Sequence, residues 1–101
     1  MLDLTEMFTT PTRSVTLLGQ EVTIEYVTPL YIEGDKCEGG CWVSERLIRI
    51  DTALLTEPER LQRVLVHEQM HMMLGLSGLS DAIGDLKIEE AICCLMESWP
   101  C

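Results

Sequence analysis

The chain is poor in histidine, in aromatic residues and in positive charge, and each shortage narrows the functions open to it. Aromatic residues make up 5% of 101 residues, and 7 Lys or Arg stand against 17 Asp or Glu, a formal charge of −10. A surface of that sign repels phosphate backbones and anionic headgroups, which argues against nucleic acid or a membrane as a direct partner. No apolar run reaches the ~20 residues a spanning helix needs. The stretch Met1 to Arg13 carries Asp3 and Glu6 and lacks the apolar centre of a secretory signal. A cytoplasmic location is therefore expected. Five cysteines, an odd number without a signal, fit reduced thiols better than a disulfide framework. Cys37 and Cys41, spaced C-x3-C, are candidates to seed a structural zinc site with Cys93, Cys94 or Cys101. They lack a matched C-x2-C partner, and small buried thiols are the commoner use.

With 47% apolar residues, the chain is long enough for one small domain over residues 1–101, with residues 1–13 expected to be loosely structured. Val15 to Leu18 and Glu21 to Val27 read as a hairpin about Gly19-Gln20, because Val22, Ile24 and Tyr26 alternate with polar neighbours. Pro29 to Gly40 reads as a loop whose Glu33, Asp35 and Glu38, with Glu45 beyond, form a solvated acidic face. Cys41 to Val43 and Leu47 to Ile50 read as two further strands about Ser44-Glu45-Arg46. The expectation is a small antiparallel sheet of three or four short strands.

Thr56 and Glu59 have the spacing of a capping box, with Pro58 in the first turn, and predict a helix running to about Leu74 and stopping near Gly75. Leu61, Val64, Leu65 and Met72 supply its core face. A turn-rich link from Leu76 to Asp85 leads to a second predicted helix, about Leu86 to Trp99, with Ile88, Ala91, Ile92, Leu95 and Trp99 on one side. The fold class is thus α+β.

The two histidines of the chain, His67 and His71, enclose a glutamate in His67-Glu68-Gln69-Met70-His71, an H-E-x-x-H run. On a helix, residues four apart lie about 40° apart around the axis, so both imidazoles can hold one metal ion while Glu68 flanks the same face. A catalytic zinc takes three protein ligands and leaves one position open. No other histidine exists, so the third ligand must be a carboxylate or a thiolate. Glu89 and Glu90, on the second helix, are the carboxylates that a helix-turn-helix return would bring back to the histidines.

Here the sequence resembles the gluzincin zinc metallopeptidases, in which an H-E-x-x-H helix is followed by a helix bearing a glutamate ligand. The matching stretch is Glu90-Ala91-Ile92, and the resemblance implies Glu90 rather than Glu89 as third ligand. The layout of hairpin, short Cys41-Trp42 strand, Leu47-Ile48-Arg49-Ile50-Asp51 strand and the two helices is similar to the minigluzincins and to small phage and prophage proteins related to the ImmA/IrrE peptidases. The likeness spans roughly residues 14–99 and implies a minimal zincin-like fold. Where larger gluzincins carry an aspartate four residues after the ligand glutamate, this chain has Cys94. It has no Tyr or His after His71 to stabilise an oxyanion, which leaves Tyr26, Tyr31 or Arg49 as candidates.

The function expected is zinc-dependent peptide-bond hydrolysis, with His67, His71 and Glu90 holding Zn2+ and Glu68 as general base. The substrate would be a peptide or protein laid antiparallel along an exposed strand edge such as Cys41 to Val43. The competing expectations are a zinc-stabilised binding module or inactive relative, and a metal-free interaction protein.

Overall fold

The computed structural model describes residues 12–97. Six strands come first: β1 (Thr12–Leu17), β2 (Gln20–Val27), β3 (Tyr31–Ile32), β4 (Asp35–Lys36), β5 (Gly39–Trp42) and β6 (Leu47–Asp51). A 3-10 helix, Thr52–Thr56, leads into α1 (Pro58–Leu76), α2 (Leu79–Ile83) and α3 (Leu86–Glu97). The class is α+β, as the sequence implied. Among the described residues no helix is long and apolar enough to cross a membrane.

The main sheet has the order β1-β2-β6-β5 and is mixed, not antiparallel as expected. β1 and β2 form the predicted hairpin, turning at Leu18 and Gly19 with φ of 51° and 76°. Positive φ at both central residues is the turn geometry that matches strand twist. β6 then lies parallel to β2, Ile24 opposite Ile48 and Tyr26 opposite Ile50. A parallel pair needs a long crossover, and residues 28–46 provide it. That crossover was read as loop up to Gly40, but it holds the β3–β4 hairpin, with strands of two residues each, and β5 begins at Gly39. β1 likewise starts at Thr12, inside the segment read as loosely structured; residues 1–11 lie outside the described residues.

One face of the sheet carries Val22, Ile24, Tyr26, Ile48 and Ile50, all buried, and packs them against Leu54 and against Leu65 and Met72 of α1. α1 shows the predicted core face and ends within two residues of the predicted stop, but it does not start on the predicted cap. Glu57 takes the N-cap position without a side-chain bond, while Thr56 donates to the Ala53 carbonyl and closes the 3-10 turn. Asp51 caps that turn instead, accepting from Ala53 N at 2.8 Å and from Leu30 N at 3.2 Å. The two amide bonds outweigh the cost of burying the carboxylate and hold it below the usual range.

Gly75 does not stop α1, which continues to Leu76. A Cβ at Gly75 would meet Val43 Cγ2 at 2.6 Å, and one at Gly39 would meet Val64 Cγ1 at 2.8 Å and Glu68 Cγ at 3.0 Å. β5 and Val43, which follows it, therefore run tight against α1 because a glycine stands at each contact.

α3 reverses its expected packing. Ile88 and Leu95 are about half exposed or more, at 51% and 61%, whereas Glu89 is 9% exposed and Cys93 is fully buried. The helix thus buries Glu89 and Cys93 and leaves Ile88 and Leu95 in solvent, against ordinary amphipathic packing, while Ile92 and Met96 are half-buried. Trp99 lies outside the described residues.

Replacing Gly75 by Ala tests the close contact. Helix propensity alone would add up to about 1 kcal/mol of stability, but overpacking against Val43 costs typically about 1–3 kcal/mol. The expected outcome is a lower urea midpoint for Gly75→Ala. An unchanged or raised midpoint would show that Val43 yields freely.

Candidate metal centre

His67 and His71 sit one turn apart on α1, on the flank that faces α3 and the free edge of β5. Their ring centroids are 5.0 Å apart with planes at 65°. The side chains are 13% and 18% exposed, so solvent reaches one side of a largely enclosed pair.

All four imidazole nitrogens meet a carboxylate from α3. Glu90 spans the pair, with Oε1 2.7 Å from His67 Nε2 and Oε2 2.9 Å from His71 Nε2. Glu97 stands 2.8 Å from His67 Nδ1, and Glu89 stands 2.6 Å from His71 Nδ1. The spacing of these glutamates explains the convergence. Residues 89, 90 and 97 fall within an arc of about 100° on one side of α3, and the seven positions from Glu90 to Glu97 bring the helix back to within about 20° of the same direction. Glu89 and Glu90 reach His71 together, and Glu97 reaches His67 two turns on.

The structure brings together the predicted set, His67, His71 and Glu90, with one donor atom from each within 4.8 Å of the others. Three observations bear on whether a metal fits. Tetrahedral coordination at roughly 2.0–2.1 Å separates donors by about 3.3 Å, and the Nε2-to-carboxylate distances of 2.7 and 2.9 Å lie a few tenths of an ångström short of that. Each ring also has its second nitrogen backed by a carboxylate, the arrangement that sets tautomer and ring orientation in histidine metal sites. Four glutamates, Glu68, Glu89, Glu90 and Glu97, surround two imidazoles, so even full protonation of both rings leaves negative charge uncompensated. A divalent cation suits that excess.

The roles of Glu89 and Glu97 were missed in the sequence. The sequence offers Glu89 only as an alternative ligand and gives Glu97 no role, whereas the two hold the Nδ1 atoms. The signal was the seven-residue spacing from Glu90 to Glu97. Cys94, standing where an orienting aspartate was sought, does not serve either histidine; its thiol lies 4.0 Å from Glu90 Oε1. A second donor group, His67, Cys94 and Glu97, shares His67 and so belongs to the same cluster. Neither group includes Cys37 or Cys41, and the thiol zinc site is not assembled among the described residues; Cys101 lies outside them. Cys37 instead donates to the Asp35 carbonyl, and Cys41 lines the cleft with its thiol pushed up to about 12 by burial and by Glu68.

Glu68 is 9% exposed and lies under β5. Burial drives its carboxyl above the ordinary value, His67 and His71 pull it back, and Glu90 and Glu97 add to the rise. A carboxylate displaced that way is suited to accept a proton. Glu68 is the residue common to two cavities beside β5. One is about 480 Å³ and reaches Arg60, Arg63, Val64 and His67. The other is about 270 Å³ and reaches Cys41, Val43, His71 and Leu86. Together they make a cleft along the sheet edge with the histidines and Glu68 at its middle.

The expected oxyanion donors fare differently. Tyr26 is buried in the core cluster. Arg49, between inward-facing Ile48 and Ile50, projects from the opposite face of the sheet, where its guanidinium lies 5.3 Å from the Trp42 ring centroid. Tyr31 is exposed on β3. Tyr26 and Arg49 do not line the cleft.

Comparison with family models, curated proteins and solved structures returns no match to this chain.

Burial works against charge on His71, but its hydrogen bonds to Glu89 and Glu90 outweigh it and raise the pKa above 6.5. A raised histidine pKa contributes stability that is complete below the unfolded value near 6.5 and is lost as pH rises through the folded value. Metal binding needs the neutral ring and so follows the opposite trend. The chelated protein should lose stability to urea between pH 6 and pH 8, whereas zinc affinity by calorimetric titration should increase over the same interval. Parallel trends in the two measurements would contradict the ring assignments.

Proposed function

We propose that the protein is a zinc-dependent hydrolase of peptide bonds. The observation that carries this reading is the convergence of both Nε2 atoms on Glu90, beside a buried Glu68, at the centre of an open cleft. His67, His71 and Glu90 would hold the ion. A divalent zinc bound there supplies the Lewis acidity that polarises a carbonyl and makes water a nucleophile near neutral pH.

The remaining work falls to the chain. Glu89 and Glu97 keep the Nδ1 protons and present Nε2 toward the ion. Glu68 accepts a proton from the attacking water and returns it to the leaving amine, which its raised pKa favours. β5, at the edge of the sheet, offers backbone groups along which a peptide can lie extended across the site. Gly39 leaves room for that strand to pass over Glu68 without a side chain between them.

One observation favours a second reading, a zinc-stabilised binding module without turnover: neither Tyr26 nor Arg49 reaches the cleft to steady an oxyanion. The two readings separate on Glu68. In the hydrolase reading Glu68→Gln keeps one equivalent of zinc and loses cleavage of a mixed peptide library by at least about 100-fold, the ordinary weight of a general base. Unimpaired cleavage by that variant would remove Glu68 as base, and a zinc-loaded wild type inert to the whole library would leave the binding module.

The ligand assignment has its own test. Glu90→Ala should abolish stoichiometric zinc, while Glu89→Ala should weaken it by about 10–100-fold, the usual cost of losing a carboxylate behind a ligand histidine. Metal analysis giving the opposite order would exchange the two roles.

A further inference from the structure

The part of the cleft beside the first half of α1 carries two of the chain's seven Lys and Arg residues. Arg60 and Arg63 line the cavity of about 480 Å³ that opens on His67 and Glu68. Of its other charged groups, Glu38 and Glu97 are already engaged and Glu68 is buried. Glu38 accepts from Arg60 Nε and, at 2.8 Å, from Arg60 Nη2. Glu97 is held at His67 Nδ1, 2.8 Å away. Arg63 is exposed and makes no ion pair among the described residues, not with Glu59 one turn before it, nor with Glu38, whose charge it feels only secondarily to Arg60. It stands four residues before His67, about 6 Å along the helix axis.

The cavity beyond Glu68 is different. It has no Lys or Arg, and Val43 and Leu86 share it with His71 and Glu89. The cleft is therefore asymmetric, with an unengaged cation at one end and apolar and acidic groups at the other. On a chain of charge −10 the net field repels an acidic peptide residue, and within the cleft the end held by Arg63 offers it a local attraction.

We propose that Arg63 is a specificity determinant that binds the side-chain carboxylate of an acidic residue in a peptide lying along β5, on the side of the site nearer the start of α1. This rests on reading the cleft as a peptide-binding site. The guanidinium fork suits a carboxylate in two-point contact, and its position one turn from His67 places the acidic residue within one or two positions of the bond over the metal centre.

The test uses zinc-loaded Glu68→Gln protein, so that binding is read without turnover. Fluorescent peptides, identical except for Glu, Gln or Lys stepped through successive positions, are titrated by anisotropy. At one or two adjacent positions Glu should bind about tenfold tighter than Lys, the order expected when an exposed attraction replaces a repulsion. The preference should shrink at high salt. With Arg63→Glu added, Lys should become the preferred residue at the same positions, a gain that misfolding cannot produce, and Arg63→Lys should retain the preference for Glu. Equal binding of Glu, Gln and Lys, no binding of any peptide, or a preference indifferent to Arg63→Glu would each overturn the proposal. Cleavage by the wild type separates the two readings: an acidic preference without cleavage keeps the subsite and removes the hydrolase, and cleavage without preference does the reverse.

Discussion

The bridge that Glu90 makes between His67 Nε2 and His71 Nε2 is the contact on which the rest of the arrangement depends. It requires α3 to present an acidic side to α1, and Glu89 and Glu97 follow on that same side because helical geometry carries them there. Leu86, Ile88 and Leu95 are left in solvent as the consequence. Burying Glu89 while exposing Leu86, Ile88 and Leu95 runs against the hydrophobic effect, which would reward a different rotation of α3. Compensation has to come from the imidazoles, and from a cation where one is bound. A helix turned against its own amphipathicity is better explained by the site than by the core.

The same demand reaches the sheet. β5 can pass close to Glu68 only because Gly39 has no side chain, and farther along the helix Gly75 lets Val43 approach in the same way. Glycine is a weak strand former and costs stability in a helix. These two positions exchange local propensity for a narrow gap between strand and helix, and that gap forms the cleft. Glu68 and the histidines lie at its middle, and its ends differ in charge.

Much of this was legible in the sequence, and what was not has identifiable causes. The alternation of Val22, Ile24 and Tyr26 and the periodicity of Leu61, Leu65 and Met72 announce the two faces that meet in the core. The motif and the absence of other histidines point to a third ligand on the second helix, and Glu90 is where the donor atoms converge. Strand direction was not legible, because β2 and β6 carry the same apolar pattern whether they pair parallel or antiparallel. Two-residue strands such as β3 and β4 leave no periodic signal. Gly75 was read as a helix stop because propensity knows nothing of Val43. The orientation of α3 was misread for the same kind of reason: its apolar residues define the stronger stripe, and only the positions of His67 and His71 on a different element decide which side turns inward.

The central claim is that both Nε2 atoms face one metal ion while the Nδ1 atoms stay protonated against Glu89 and Glu97. Long-range nitrogen–proton NMR spectra of the two histidines, recorded as zinc is added to the chelated protein, test it most directly. The account predicts that at one equivalent both rings show metal-bound Nε2 and protonated Nδ1, with both imidazoles changing together. Coordination through Nδ1, or spectra of either ring unchanged by zinc, would contradict it.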